Sequence, residues 1–230
     1  MIFSLCSAFR TSTDYLQRYF QQAKALRDHL ADRGDTLRFV WGEGDSADGT
    51  LTLLRLMATE LGNAQIVDCR HGGPVFGSVV NGERFKQLAY VARCVWAAIP
   101  ADTDVMVWVE SDLIWDAVTL TQLIDRVAEY GAISPMVFLE RKDWKRWSFY
   151  DTFAFVLNGQ HFDHCPPYHA GYDPDKPFRV DSAGSCMAMR GAIARRIIFY
   201  EQTLFPDICR QIAAGRGSVW VDPQLCCYHH

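Results

Sequence analysis

Five consecutive residues, Val105 to Val109, are apolar without a polar interruption. A strand with one wet face alternates; a strand that never alternates is covered on both faces, as at the centre of a parallel sheet flanked by helices. The preceding sequence fits that requirement. Ile2 to Cys6 reads as a strand and Arg10 to Asp14 as a polar loop, after which Leu16, Tyr19, Phe20, Ala23, Leu26 and Leu30 recur at helical spacing up to Gly34. Leu37 to Trp41 reads as a second strand and Gly42 to Gly49 as a turn. Leu51, Leu54, Met57, Ala58 and Leu61 then form the stripe of a second helix, which Asp48 is placed to cap. Ala64 to Asp68 predicts a third strand, and a Gly- and Pro-rich loop from Arg70 to Gly82 leads to a helix with Phe85, Leu88, Ala92, Val95, Trp96 and Ile99 on one face. A helix from about Leu120 to Tyr130 and a strand from Ala132 to Phe138 follow, so the first 138 residues predict a doubly wound α/β half.

Between Glu140 and Arg179 the alternation stops, and aromatic, Pro, Gly and His residues surround one strand-like run, Phe153 to Leu157. This segment reads as an insertion into that pattern. The tail predicts a strand at Cys186 to Met189, helices near Ala192 to Tyr200 and Pro206 to Ala214, and short strands at Ser218 to Val221 and Leu225 to Tyr228. With 230 residues, 49% of them hydrophobic, the chain is long enough for one substantial core and short for two. A single domain is expected, in two halves, residues 1–116 and 117–230.

The formal charge of -4 gives no long-range field for a phosphate backbone, so a nucleic-acid partner would need a local patch. Eight scattered cysteines, mostly in apolar segments, suit reduced thiols. The N-terminal MIFSLCSAF has no basic region and reaches Arg10 too soon for a signal peptide or a membrane span, which leads us to expect a soluble cytoplasmic protein.

Chemistry concentrates at Glu110-Ser111-Asp112, where two carboxylates flank one residue directly after the buried strand. Open α/β sheets bind ligands at the carboxyl ends of their strands. A hard divalent cation, Mn²⁺ or Mg²⁺, shared between a carboxylate and a diphosphate needs oxygen ligands and acts as a Lewis acid on the departing group. Asp112 is the candidate metal ligand, and Glu110 is a candidate for the ribose or for the metal through water.

The segment Trp41 to Thr50, WGEGDSADGT, resembles the strand-turn-helix signature of family 2 and related GT-A glycosyltransferases through Glu43, Ser46, Asp48, Gly49 and Thr50. Asp45 stands where that signature often has Gly. Glu110-Ser111-Asp112 follows in the family's order, at the place of its DxD-type metal motif but with Glu first. The resemblance covers roughly residues 1–116 and implies that they are the nucleotide-binding half, with 117–230 as the acceptor-binding half and Glu140 to Arg179 as its acceptor-side insertion. It implies a GT-A fold, a doubly wound mixed but mostly parallel sheet flanked by helices, and a glycosyltransferase using a UDP- or GDP-linked donor. It also implies that Glu43 hydrogen-bonds the donor's base and that a late histidine, here His229 in preference to His230, joins the metal. The later half resembles mannosyltransferase-like families through Val180-Asp181-Ser182-Ala183-Gly184-Ser185 and, more loosely, Phe149-Tyr150-Asp151-Thr152. Asp181 and Asp151 are therefore the catalytic candidates, each also readable as a turn-former. Arg10 and Arg84 lie where a cation would reach the nucleotide, and with Glu43, Glu110 and Ser111 they complete the nucleotide-contacting candidates.

Two further clusters stand apart. His161, His164, Cys165 and His169 offer zinc ligands at a spacing that matches no known pattern. Trp144, Trp147, Phe149 and Tyr150 interleave with Arg141, Lys142, Lys145 and Arg146, which suits stacking on sugars or bases and leaves modified DNA open as an acceptor beside glycans and small molecules. The competing functions are a sugar-phosphate nucleotidyltransferase, against which Phe9-Arg10-Thr11-Ser12 lacks the expected glycine, and a non-catalytic nucleotide-sugar-binding module.

Overall fold

The computed structural model describes residues 1–77, 80–141 and 146–229, and the side chains of all of these except residues 140, 141, 146 and 147. The chain opens with β1 (Ile2–Phe9), α1 (Thr13–Asp32), β2 (Thr36–Glu43), α2 (Thr50–Leu61), β3 (Ala64–Asp68), α3 (Gly82–Ala97) and β4 (Val105–Val109). After the short β5 (Leu113–Ile114) come α4 (Ala117–Tyr130), β6 (Ala132–Arg141), β7 (Arg146–Phe149), β8 (Val156–Leu157) and β9 (Gln160–His161). The chain ends with β10 (Phe178–Val180), β11 (Cys186–Arg190), α5 (Gly191–Ala194), α6 (Phe205–Ala214) and β12 (Val219–His229).

The main sheet has the order β10-β12-β6-β11-β4-β1-β2-β3, with β5 and β7 added at its sides. β1, β2, β3 and β4 are mutually parallel, β12 runs parallel to β6, and β11 lies antiparallel between β4 and β6. The unbroken apolar run of β4 has the consequence its sequence demands. Val105, Val107 and Val109 join the cluster formed with α1, α2 and α4, while Met106 and Trp108 join the opposite cluster with Val95, Trp96, Ile208 and Ile212. Each face of one strand thus anchors a separate helical layer, and one continuous sheet carries both halves of the chain.

Local hydrogen bonding explains where the elements depart from the sequence expectations. Asp48 precedes the cap position, held by Gly49; its carboxylate accepts the Thr50 amide at 3.0 Å and the Thr13 hydroxyl at 2.9 Å, tying the starts of α1 and α2 together. The expected strand at Phe153 to Leu157 shrinks to Val156–Leu157, because Asp151 makes a turn: its carboxylate accepts the Ala154 amide at 3.3 Å and its carbonyl accepts that of Phe155 at 3.1 Å. The expected helix at Ala192 to Tyr200 stops at Ala194. Beyond it, the Gln211 side chain pairs with both backbone groups of Ile198, each at 2.8 Å, in place of helical partners. The two expected terminal strands are one, β12, whose register against β6 shifts between Asp222 and Cys226, around Pro223. Among the described residues no helix is long and apolar enough to cross a membrane, and the eight cysteines are free thiols.

Candidate functional site

The ends of β1, β2 and β4 meet at one edge of the sheet, and there the Glu110–Leu113 turn is held from several sides. The Leu113 amide donates to the Glu110 carbonyl at 3.2 Å, and the Glu110 amide to the Ser185 carbonyl at 2.8 Å. Arg18 of α1 donates to the Asp112 carbonyl at 2.9 Å, and the Tyr15 hydroxyl lies 3.4 Å from Ser111 Oγ. Leaving this turn, β5 pairs antiparallel with the end of β12, setting Leu113 opposite His229. That register carries the last described residue back to the middle of the chain. Asp112 Oδ2 and His229 Nε2 lie 3.0 Å apart, and the Tyr150 ring stacks on the imidazole with centroids 3.9 Å apart at 25°.

The cleft above this pair has two lobes. One, of about 400 Å³, is lined by Arg10, Tyr15, Gly44, His71, Ser111 and Asp112 among others. The second, of about 420 Å³, is lined by Tyr150, Asp151, Thr152, Phe153, His164 and Ser185 among others. Arg84, Leu88, Glu110, Leu204 and Phe205 border both, so the lobes are continuous.

Burial governs the charges. Asp151 lies below the second lobe, where Ser185 Oγ donates to its carboxylate at 3.0 Å and the Ala154 amide at 3.3 Å. Those bonds favour the charged form, yet desolvation outweighs them and pushes the carboxyl up to about 7. Glu110 is raised well above the usual carboxylate range, first by burial and then by the charges of Asp112 and Asp151, against the pull of Ser185 and Arg84. The Tyr150 phenol is raised by burial and by the same three carboxylates. The cleft therefore holds protonatable carboxyls whose affinities lie near neutral pH, the condition for proton transfer in water at pH 7.

Among the described residues no three His, Cys, Asp or Glu side chains form a metal cage. Asp112 and His229 supply one oxygen and one nitrogen, leaving further positions for oxygens that arrive with a ligand. Mg²⁺ and Mn²⁺ are held in that manner, through one or two protein side chains plus substrate phosphates. The pair fits a cation that enters with a diphosphate and does not fit a permanent structural metal.

No protein-family model and no curated protein matches the sequence. Solved structures match the fold over the whole chain. A mannosyltransferase from Pyrobaculum calidifontis, PcManGT, in complex with GDP-Man and Mn²⁺, has a TM-score of 0.62 at 14% identity, covering 99% of this chain and 56% of that one. TarS of S. aureus has a TM-score of 0.61 at 14% identity, covering 100% and 60%, and GalNAc-T7 with UDP, GalNAc and Mn²⁺ has 0.60 at 12%, covering 99% and 43%. This chain has the GT-A fold. It spans about half the length of these chains.

Within the GT-A cleft, the sequence candidates fall into two groups. Arg84, Glu110, Ser111, Asp112, His229 and Asp151 surround the two lobes or support them directly. Arg10 also lines the first lobe, but its guanidinium is taken up by the 71–77 segment, donating to the Gly73 carbonyl at 2.5 Å, the Pro74 carbonyl at 3.2 Å and Gln87 Oε1 at 3.3 Å. Glu43 is buried beside the lobe, accepting the Ser46 amide at 3.2 Å, and it is the neighbouring Gly44 that forms the wall. Gly44 packs backbone against backbone: a Cβ there would sit 2.5 Å from the Cys69 carbonyl oxygen. Asp45, at φ +60°, accepts the amides of His71 and Gly72 at 2.9 and 3.0 Å.

Asp181 is not brought to the cleft. Its carboxylate is exposed and accepts the Gly159 amide at 2.7 Å, bracing the β8–β9 hairpin. The same segment reaches the site through its other end, where Gly184 lies against Asp151 and Ser185, at φ +57°, bonds it. The zinc reading finds no support among the described residues. His161 and His164 each turn Nδ1 to a backbone carbonyl at 2.9 Å, and His169 Nδ1 accepts the Gly171 amide at the same distance. Of the basic aromatic stretch, residues 142–145 and the side chains of 141, 146 and 147 lie outside the described residues, as does His230. The sequence offered Tyr150 for stacking on sugars or bases and Ser185 as the end of the Val180–Ser185 motif, but it did not place Tyr150 on His229 or Ser185 on Asp151, and it did not single out Phe205, which borders both lobes.

Proposed function

We propose that the protein is a glycosyltransferase that moves a sugar from a UDP- or GDP-linked donor to an acceptor hydroxyl, and that Asp112 and His229 are the residues that would hold a Mn²⁺ or Mg²⁺ ion for it. The observation that carries this reading is the Asp112–His229 pair, assembled from the end of β4 and the end of β12 at 3.0 Å in a GT-A cleft. The GDP-Man, UDP-GlcNAc and Mn²⁺ bound by proteins of this fold support the donor and metal classes. When bound, the cation would offset the charge of the departing nucleoside diphosphate.

The chain's own residues then divide the work. Tyr150 holds the His229 ring in place by stacking, and Arg18, by holding the Asp112 carbonyl, fixes the turn. The first lobe takes the nucleotide, with Arg10 and Asp45 pinning the 71–77 segment beside it. In the second lobe Asp151 acts as general base: it takes the acceptor hydroxyl proton as that oxygen bonds the sugar's anomeric carbon and the bond to the diphosphate breaks. A carboxyl poised at about 7 suits that role, and Ser185 orients it. Asp181 is assigned a structural role in its hairpin. Free thiols suit a cytoplasmic enzyme.

Thermal melting with UDP and with GDP, each in Mn²⁺ and in EDTA, tests the reading. One nucleotide should raise Tm only with the cation present, because the two share their ligands. Equal stabilisation in EDTA, or none by either nucleotide, contradicts it.

A further inference from the structure

Resting on the transferase reading, we infer that the second lobe takes a neutral sugar ring, seated on Phe153, so that the acceptor is a glycan end or glycoside, not a phosphorylated molecule or a nucleic acid. Phe153 is 47% exposed although it is a phenylalanine at the mouth of a cavity, and Leu88 beside it is 44% exposed. The Phe153 ring is not loose: Phe85 of α3 stacks behind it, with centroids 5.3 Å apart at 28°. One aromatic face is thus backed and the side chain still borders the lobe. A rigid aromatic ring at a cavity mouth gives a flat apolar contact at little conformational cost.

The polar groups narrow the occupant further. The same lobe is lined by the Asp151 carboxyl with its Ser185 partner, the Glu110 carboxyl, Thr152 and His164. Arg84 is the one cationic side chain among the described residues lining this lobe, against two carboxyl groups. A phosphate or a nucleic-acid backbone entering here would give up its hydration for a single guanidinium that stands beside two carboxyl groups. A pyranose presents the complementary surface, with C–H groups on one face for the ring of Phe153 and hydroxyls at its edge to donate to carboxylates. A lobe of about 420 Å³ has room for one or two such rings.

The test uses the full chain with UDP or GDP and Mn²⁺, and ligand-observed saturation-transfer NMR with methyl glycosides of glucose, galactose, mannose and N-acetylglucosamine. Glucose 6-phosphate, mannose 6-phosphate and a single-stranded oligonucleotide serve as anionic counterparts. At least one methyl glycoside should bind in preference to every anionic probe. F153A should weaken it by about tenfold, and F153W should keep it. Since Phe153 is exposed, F153A should melt within a few degrees of the wild type, which excludes misfolding as the cause. Preferential binding of a phosphorylated sugar or the oligonucleotide, absence of binding by all four glycosides, or undiminished binding by a folded F153A overturns the inference. If glycosides bind through Phe153 while neither nucleotide binds with metal, the transferase reading falls and the sugar site stands; if nucleotide binds and no glycoside does, the reverse holds.

Discussion

The two lobes of the cleft are built by opposite means. Around the first lobe the chain is held at its backbone: Gly44 lies against the Cys69 carbonyl, the Asp45 carboxylate accepts two amides of the 71–77 segment, and the Arg10 guanidinium donates to two of its carbonyls. Around the second the walls are side chains. Phe149 packs edge-on against Phe155 at 4.8 Å and beside Phe162 at 5.2 Å, and on this aromatic base stand Tyr150 and Asp151. A nucleotide is the same object wherever it binds and suits a fixed backbone cradle, whereas an acceptor site is redrawn by exchanging side chains.

The contrast can be broken most sharply at the chemistry. D151N keeps the shape of the second lobe but removes the proton acceptor, so turnover should fall by roughly 10² to 10⁴ while nucleotide binding survives. D181N, on an exposed hairpin, should leave both within about twofold. Steady-state transfer or donor hydrolysis with the two variants separates them, and equal effects would erase the distinction drawn between the aspartates.

A smaller effect tests the backbone cradle. G44A places a methyl carbon 2.5 Å from a carbonyl oxygen that cannot swing away, so it should lower stability by about 1 to 3 kcal/mol in urea unfolding and weaken nucleotide binding with it. If G44A unfolds like the wild type, the first lobe is not held as described.

A third effect is on the pH dependence of stability. Asp151 is raised from 3.8 to about 7 in the folded protein, so between those values the native state binds more protons than the unfolded chain. Stability should accordingly decline as pH rises from about 4 to about 7, with Glu110 acting in the same direction. Tm measured across that range should fall for the wild type and fall less for D151N; parallel curves would show that Asp151 is not desolvated.

The same division governs how much was legible in the sequence. β3 and β4 match their expected bounds, and α1 and α2 follow their apolar stripes, because strands covered on both faces and helices covered on one write their burial directly as periodicity; α3 does so only at Val95 and Trp96, since Leu88 turns to the cleft. The position of Asp112 in the turn just beyond a buried strand was legible, as was that of Asp48 at a helix start. The second lobe was not. The early end of α5 is accompanied by a side chain reaching a distant backbone group, Gln211 to Ile198, which no local spacing records, and the turn at Asp151 rests on a short Asp side chain bonding the amide three residues on inside an apolar run that reads as a strand. Asp181 illustrates the cost: its motif reaches the cleft, but through Ser185 at the far end, since the chain turns over between them.

The central claim is that Asp112 and His229, brought together by the pairing of β5 with β12, act as one metal site. Mn²⁺ titration followed by electron paramagnetic resonance, in the presence of whichever of UDP and GDP binds, should be run on the wild type, D112N, H229A and the double variant. Each single change is predicted to weaken Mn²⁺ by at least about tenfold, and the double change by little more than either alone, because both remove the same site. Wild-type affinity in D112N or H229A, or losses that multiply in full in the double variant, would contradict the account.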